Sequence, residues 1–171
     1  MGRATERKRA SAGILVLLAL TLACGATPRP EAATVDLLLD GGPRSGHYHG
    51  TSHLDSCFRG LVGSGSWGVQ FTDWTGPRGG LRSLHLIVPA LPDGRSRQFY
   101  LGLVLGDFFT GTVHEIETRA GVPERRGEGE VEVVEPNAEG TAAIRVTGLT
   151  ADSVPVRSTI TCRSVRTVSV P

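Results

Sequence analysis

An all-β fold, an antiparallel sandwich with a small β-barrel as the alternative, is what this sequence predicts, and three observations predict it. Beyond residue 34, no stretch of ten residues free of Gly and Pro places apolar side chains at the spacing of a helix face. Segment after segment instead carries the alternation or the short apolar run of a strand. Gly (23 residues) and Pro (10) are abundant without a Gly-X-Y period, which suits strands joined by tight turns. A length of 171 residues without an internal repeat suggests one folded domain.

Taken in order, the chain opens with a targeting segment over residues 1–23. Arg3, Arg7, Lys8 and Arg9 make a positive start, and Ala10 to Ala23 is uncharged with an apolar centre from Ile14 to Leu20. That run reaches Cys24 well short of the roughly 20 apolar residues a bilayer-spanning helix needs. Leu20-Thr21-Leu22-Ala23-Cys24 resembles the lipobox of bacterial lipoproteins. The resemblance implies cleavage after Ala23 and a diacylglyceryl thioether on Cys24, with acylation of the freed amino group. An ordinary secretory signal cut near Ala23 or Ala26 is the other reading, and it leaves Cys24 unmodified. Residues 24–33 then read as the lipidated cysteine and an aperiodic tether, whose nine residues from Gly25 to Ala33 reach about 30 Å at full extension.

Residues 34–171 are expected to form the single β domain. Candidate strands are Thr34 to Leu39, Gly46 to Gly50, Trp67 to Trp74, Leu81 to Pro89, Arg97 to Leu105, Thr112 to Arg119, Gly129 to Glu135, Ala142 to Leu149 and Val154 to Val165. This makes about eight or nine strands, separated by turn signals such as Asp40-Gly41-Gly42-Pro43, Pro92-Asp93-Gly94 and Thr150-Ala151-Asp152-Ser153. Matching the apolar faces of the late hairpin pairs Val131 with Val146 and Val133 with Ile144, which sets Glu132 opposite Arg145. Parity places Cys162 inward with Val156, Ser158 and Ile160. Phe99, Leu101, Leu103 and Leu105 share one face of a strand that reads as interior. Val113 and Ile116 have opposite parity, so either a bulge separates them or one is exposed.

With Cys24 taken by lipid, Cys57 and Cys162 remain as an even pair in an exported chain, and a disulfide is the expected state. It would close a loop of about 105 residues, worth up to about 4.7 kcal/mol in the chain-entropy treatment. No Cys-x-x-Cys spacing points to redox work instead.

The residues offering chemistry are few. Gly46-His47-Tyr48-His49-Gly50-Thr51-Ser52-His53-Leu54-Asp55 puts His47 and His49 on one strand face. A turn after Gly50 would bring back His53 or Asp55, a donor set suited to Zn²⁺ or Cu²⁺. The competing reading is a polar edge strand that happens to carry histidines. His85 and His114, the latter followed by Glu115 and Glu117, are general-base candidates only if a nucleophile converges on one of them. The Gly63-Ser64-Gly65-Ser66-Trp67-Gly68 run lacks the Gly-Lys-Ser/Thr of a phosphate loop, and neither a Gly-x-Ser-x-Gly elbow nor a His-Glu-x-x-His helix occurs. Trp67 and Trp74 bracket a strand; the core or a sheet edge is their expected place, and a ligand groove is the alternative. No catalytic role and no obligate cofactor follow from these residues.

The signal and lipobox, the two later cysteines, and the terminal pattern of Thr141 to Gly148 followed by Val156 to Cys162 are similar to the LpqH-type family of actinobacterial lipoprotein antigens. The likeness covers about the first 24 and the last 35 residues and implies a small lipid-anchored β-rich domain without catalysis. It carries no binding residue over. Charge agrees with an envelope setting. Arg3, Arg7, Lys8, Arg9 and Glu6 leave with the signal, which turns 18 basic and 17 acidic residues into 14 and 16, a formal −2 with no lysine left. Nothing there draws nucleic acid. The expectation is an exported, lipid-anchored module at the cell membrane or outer membrane, meeting a protein, glycan or small-ligand partner. A metal-binding lipoprotein built on His47, His49 and His53 is the alternative.

Overall fold

In a computed structural model of the chain, the described residues are 31–134 and 140–168. The signal segment, Ala23 and Cys24 lie outside them. Two six-stranded sheets pack as a sandwich. The first runs in the order β2 (Gly46–Ser52), β1 (Ala33–Leu39), β11 (Pro155–Cys162), β10 (Ala142–Leu149), β9 (Glu128–Val134), β6 (Arg95–Ser96). The second runs β12 (Val165–Thr167), β3 (Cys57–Arg59), β4 (Trp67–Thr72), β5 (Leu81–Val88), β7 (Tyr100–Leu105), β8 (Thr112–Glu117). Each sheet keeps two edges, so the barrel alternative is not realised.

Among the described residues twelve strands stand where eight or nine are expected, because short pieces escape a periodicity reading. β3 and β12 have three residues each and β6 has two, too few for alternation to show. The long final segment expected over Val154 to Val165 divides at Arg163. Its first part pairs with β1 and β10, and the chain then crosses to the other sheet to lie parallel with β3. That is the one parallel pair among strands otherwise antiparallel. The strand expected from Arg97 begins at Tyr100, because the Phe99 amide leaves the ladder to donate to the Thr118 hydroxyl at 2.9 Å. A single 3₁₀ turn, Pro92–Gly94, is the only helical piece among the described residues.

Registers follow the apolar faces. Val131 pairs with Val146 and Val133 with Ile144, and Glu132 faces Arg145 at 3.1 Å. Val156, Ser158, Ile160 and Cys162 point inward, and β7 sits inside its sheet between β5 and β8. The parity conflict in β8 resolves by exposure: His114 and Ile116 are buried while Val113 faces out. The core is filled by Leu37, Phe71, Leu84, Leu86, Phe99, Leu101, Leu103, Ile144 and Ile160. Gly50 is required by close approach of the sheets, since a Cβ there would lie 2.4 Å from the ring of Phe71.

Cys57 and Cys162 are joined, with Cα atoms 6.1 Å apart, and tie β3 of one sheet to β11 of the other. Cys162 is the register partner of Ala33, so the staple sits at the end of the sandwich where the chain enters. The opposite end, where β1 finishes at Leu39, is closed by the loops 40–45, 73–80 and 106–111.

Candidate functional site

Those three loops form an apex with a defined internal frame. The Asp73 carboxylate accepts the amides of Thr75 at 2.9 Å and Gly76 at 2.7 Å, which turns the chain sharply after β4. Asp107 does the same after β7, accepting from Phe109 at 2.8 Å and Thr110 at 3.1 Å. The Phe109 amide, then that of Thr110, holds the Asp107 carboxyl below its ordinary range. Between the loops lies the nearly buried Arg82. Its Nε donates to the Gly106 carbonyl at 2.6 Å, one terminal nitrogen to Gly76 at 2.9 Å and Asp73 at 3.3 Å, and the other to Pro77 at 3.3 Å. One guanidinium therefore gathers carbonyls from both loops, using the fan of donors that only arginine has. Gly106 takes φ +93°, and a Cβ there would meet the Arg44 guanidinium at 3.1 Å, so the 40–45 loop packs onto the same frame.

This frame displays aromatic side chains to solvent. Trp74 is 75% exposed and Phe109 95%, while the Phe108 ring lies with its centroid 4.4 Å from that of Trp74. Fully burying one such side chain is worth about 1.5–3 kcal/mol. Large apolar groups held outward by a built frame make the apex a candidate binding surface. The two tryptophans, alike in sequence, part ways here. Trp67 is buried beneath Arg59, whose guanidinium lies 5.0 Å from the ring centroid, and Trp74 stands on the apex.

The histidine segment is placed differently from its expected role. His47 and His49 do share the outer face of edge strand β2, and both face Asp36 of β1, at 4.0 Å and 2.9 Å. His53 does not join them. Hydrogen bonds to the Ser52 hydroxyl from the Leu54 amide (3.2 Å) and from Ser56 (2.9 Å) bend the chain directly after β2, and His53 stands exposed in that bend. Asp55 turns the other way, toward Ser164 at 3.3 Å and Arg166 at 3.4 Å. Among the described residues, no three His, Cys, Asp or Glu side chains are placed to hold a metal ion. The strand runs on to Ser52, past the turn expected after Gly50, so the expected trio does not close.

His85 is exposed on the outer face of β5, beside Gln70 and Gly102. His114 is the one buried histidine, and its Nδ1 lies 3.0 Å from the Asp152 carboxylate in the turn between β10 and β11. Burial pushes the Asp152 carboxyl up, but the Thr150 hydroxyl at 2.5 Å, the His114 ring and the residue's own amide outweigh it and leave it low. Hydroxyl, carboxylate and imidazole thus meet in the wrong order for a nucleophile. The hydroxyl serves the carboxylate, and His114 Nε2 is buried with no hydrogen-bond partner and no solvent. The group is a staple between β8 and the β10–β11 turn.

Glu115 and Glu117 leave β8 on the opposite face from His114. They line a cleft of about 540 Å³ with Tyr100, Val122, Pro123 and Arg126. Arg119 clamps Glu117 with two donors, Nε at 2.9 Å and a terminal nitrogen at 2.5 Å, and lies 5.3 Å from the Tyr100 ring centroid. Its hydrogen bond keeps the Glu117 carboxyl low, while desolvation and then Glu115 push the Tyr100 phenol up. The polar groups of this cleft are spent largely on one another.

Comparison with protein-family models, curated proteins and solved structures finds no match. The apex therefore stands on its own geometry. A sequence signal for it does exist: Asp-Trp-Thr-Gly at 73–76 and Gly-Asp-Phe-Phe-Thr-Gly at 106–111 set aromatics inside turn-forming residues, where polar side chains are the rule.

Proposed function

We propose that the protein is an exported, noncatalytic binding module, attached to a membrane through lipid on Cys24 and presenting its aromatic apex to a partner. The observation that carries the binding role is the apex itself, with Trp74 and Phe109 exposed on loops pinned by Arg82. The Cys57–Cys162 disulfide supports an extracytoplasmic location, since such bonds persist in oxidising compartments. A noncatalytic reading is supported by how the titratable groups are used. His114 is shut away from solvent, His47 and His49 face a lone aspartate on an edge strand, and Glu117 is clamped by Arg119.

The anchor is tested by feeding labelled palmitate to cells that express the full chain and the Cys24→Ala variant. Label on the parent and none on the variant is the expected result. An unlabelled parent released into the medium would contradict the anchor.

A further inference from the structure

Neither Phe108 nor Phe109 has a hydrogen-bonding group, so two of the three aromatics cannot read the donors and acceptors of a polar partner. A protein partner would have to supply a pocket shaped to a nearly free-standing ring. A bilayer interface needs no such fit, only projecting apolar side chains and a rim compatible with headgroups, and Trp is a residue favoured at that depth. The rim here is balanced. Arg44, Arg78 and Arg82 are matched by Asp40, Asp73 and Asp107, so these loops and the arginine beneath them carry no net charge. A balanced rim suits headgroups that themselves carry both signs. The two loop carboxylates Asp73 and Asp107 are bonded to their own loop amides, so the aromatics are held outward before any contact is made.

The placement also permits it. β1 is seven residues long, so the sandwich spans about 20 Å from Ala33 to Leu39, where the 40–45 loop brings Arg44 against Gly79 and Gly106 of the apex loops. Ala32 is already bonded to Ser52 and Arg163, which leaves the six residues from Gly25 to Pro30 as spacer, about 20 Å at full extension. A chain attached at Cys24 can therefore set its apex on the same bilayer.

We infer that Trp74, Phe108 and Phe109 insert into the interfacial layer of a lipid bilayer. This rests on the membrane-attached reading above, because a lipidated Cys24 is what keeps a bilayer within reach of the apex.

The test uses the mature chain, residues 24–171, carrying Cys24→Ala, so that neither the apolar signal segment nor an acyl chain contributes, with phosphatidylcholine vesicles as the probe. Trp67 is buried and Trp74 exposed, so a change in tryptophan emission on adding vesicles reports the apex. The expected result is a blue shift, quenching by bromine-labelled lipid, and binding that changes less than about two-fold between about 50 and about 500 mM salt. Trp74→Ala with Phe109→Ala should lower the bound fraction about ten-fold with an unchanged far-ultraviolet spectrum. No shift and no co-flotation would overturn the inference, as would binding that the double variant retains. A shift seen only when envelope protein is added would also overturn it, in favour of protein docking. Palmitate labelling of the parent is scored separately. A labelled parent with a lipid-blind apex removes insertion and keeps the anchor, whereas an unlabelled parent whose Cys24→Ala form binds vesicles removes the anchor and supports insertion.

Discussion

The two ends of the sandwich are closed by different means. At the entry end a covalent bond joins β3 to β11 where Ala33 starts the fold, and the side chains around it are buried. At the apex no covalent bond is present, and a single guanidinium reaches carbonyls of two loops whose aromatics face out. The first arrangement fixes the fold against whatever pulls on the chain's entry point. The second spends a buried cation to hold apolar groups in water, which gives the fold itself no burial in return. The difference separates structure from display within one domain.

Breaking the entry end should have the largest effect. Cys57→Ala with Cys162→Ala is expected to lower stability by about 4 kcal/mol in denaturant unfolding, with reductant doing the same to the parent and nothing to the variant. Next comes the apex brace. Arg82→Met keeps most of the volume but leaves the carbonyls of Gly106, Gly76, Asp73 and Pro77 without that donor, an expected loss of about 2–3 kcal/mol. Hydrogen exchange should show the extra opening confined to residues 73–80 and 106–111, while β1 and β11 stay protected. Gly106→Ala, which must hold φ +93° and meet Arg44, should lose about 1 kcal/mol at the same loops.

Acid supplies a smaller test. Glu117, Asp107 and Asp152 have native carboxyl values below the ordinary range, so the unfolded chain takes up their protons first. Stability from these groups is complete above the unfolded carboxylate value of about 4 and is lost as pH falls through the lowered native values. Glu117→Gln should flatten that acid limb and cost under about 1 kcal/mol at neutral pH, measured by unfolding across pH. Least of all, His47→Ala with His49→Ala should change stability by no more than about 0.5 kcal/mol, because both rings stand on an exposed edge with only solvent-exposed partners, Asp36 and, for His49, the Thr51 hydroxyl.

Much of the entry end was legible in the sequence, and little of the apex. Cysteine parity and the alternation of Val156, Ser158, Ile160 and Cys162 place the disulfide inward, because a strand's period of two assigns each side chain to a face. The Val131–Val146 register follows from the same rule. Arg82 has no such signature. It follows Leu81 at a bulge in β5, and its role comes from carbonyls 24 and 6 residues away that only the fold brings together. His53 shows the reverse failure. A turn after Gly50 is expected to bring it back beside His47 and His49, but β2 runs on to Ser52, and the Ser52 and Ser56 hydroxyls bend the chain only there. Polar residues on a surface are the default and large exposed aromatic ones are not, so Trp74 and Phe109 are a more specific surface feature than the histidines.

In the proposal above, the domain meets a bilayer through the apex and not through the histidine strand. Vesicle co-flotation of three mature-chain (24–171) Cys24→Ala proteins separates the two faces: the parent, the Trp74→Ala with Phe109→Ala form, and the His47→Ala with His49→Ala form. A roughly ten-fold loss for the aromatic variant beside parent-like binding by the histidine variant is the predicted result. Equal binding by all three, or a loss confined to the histidine variant, would contradict it.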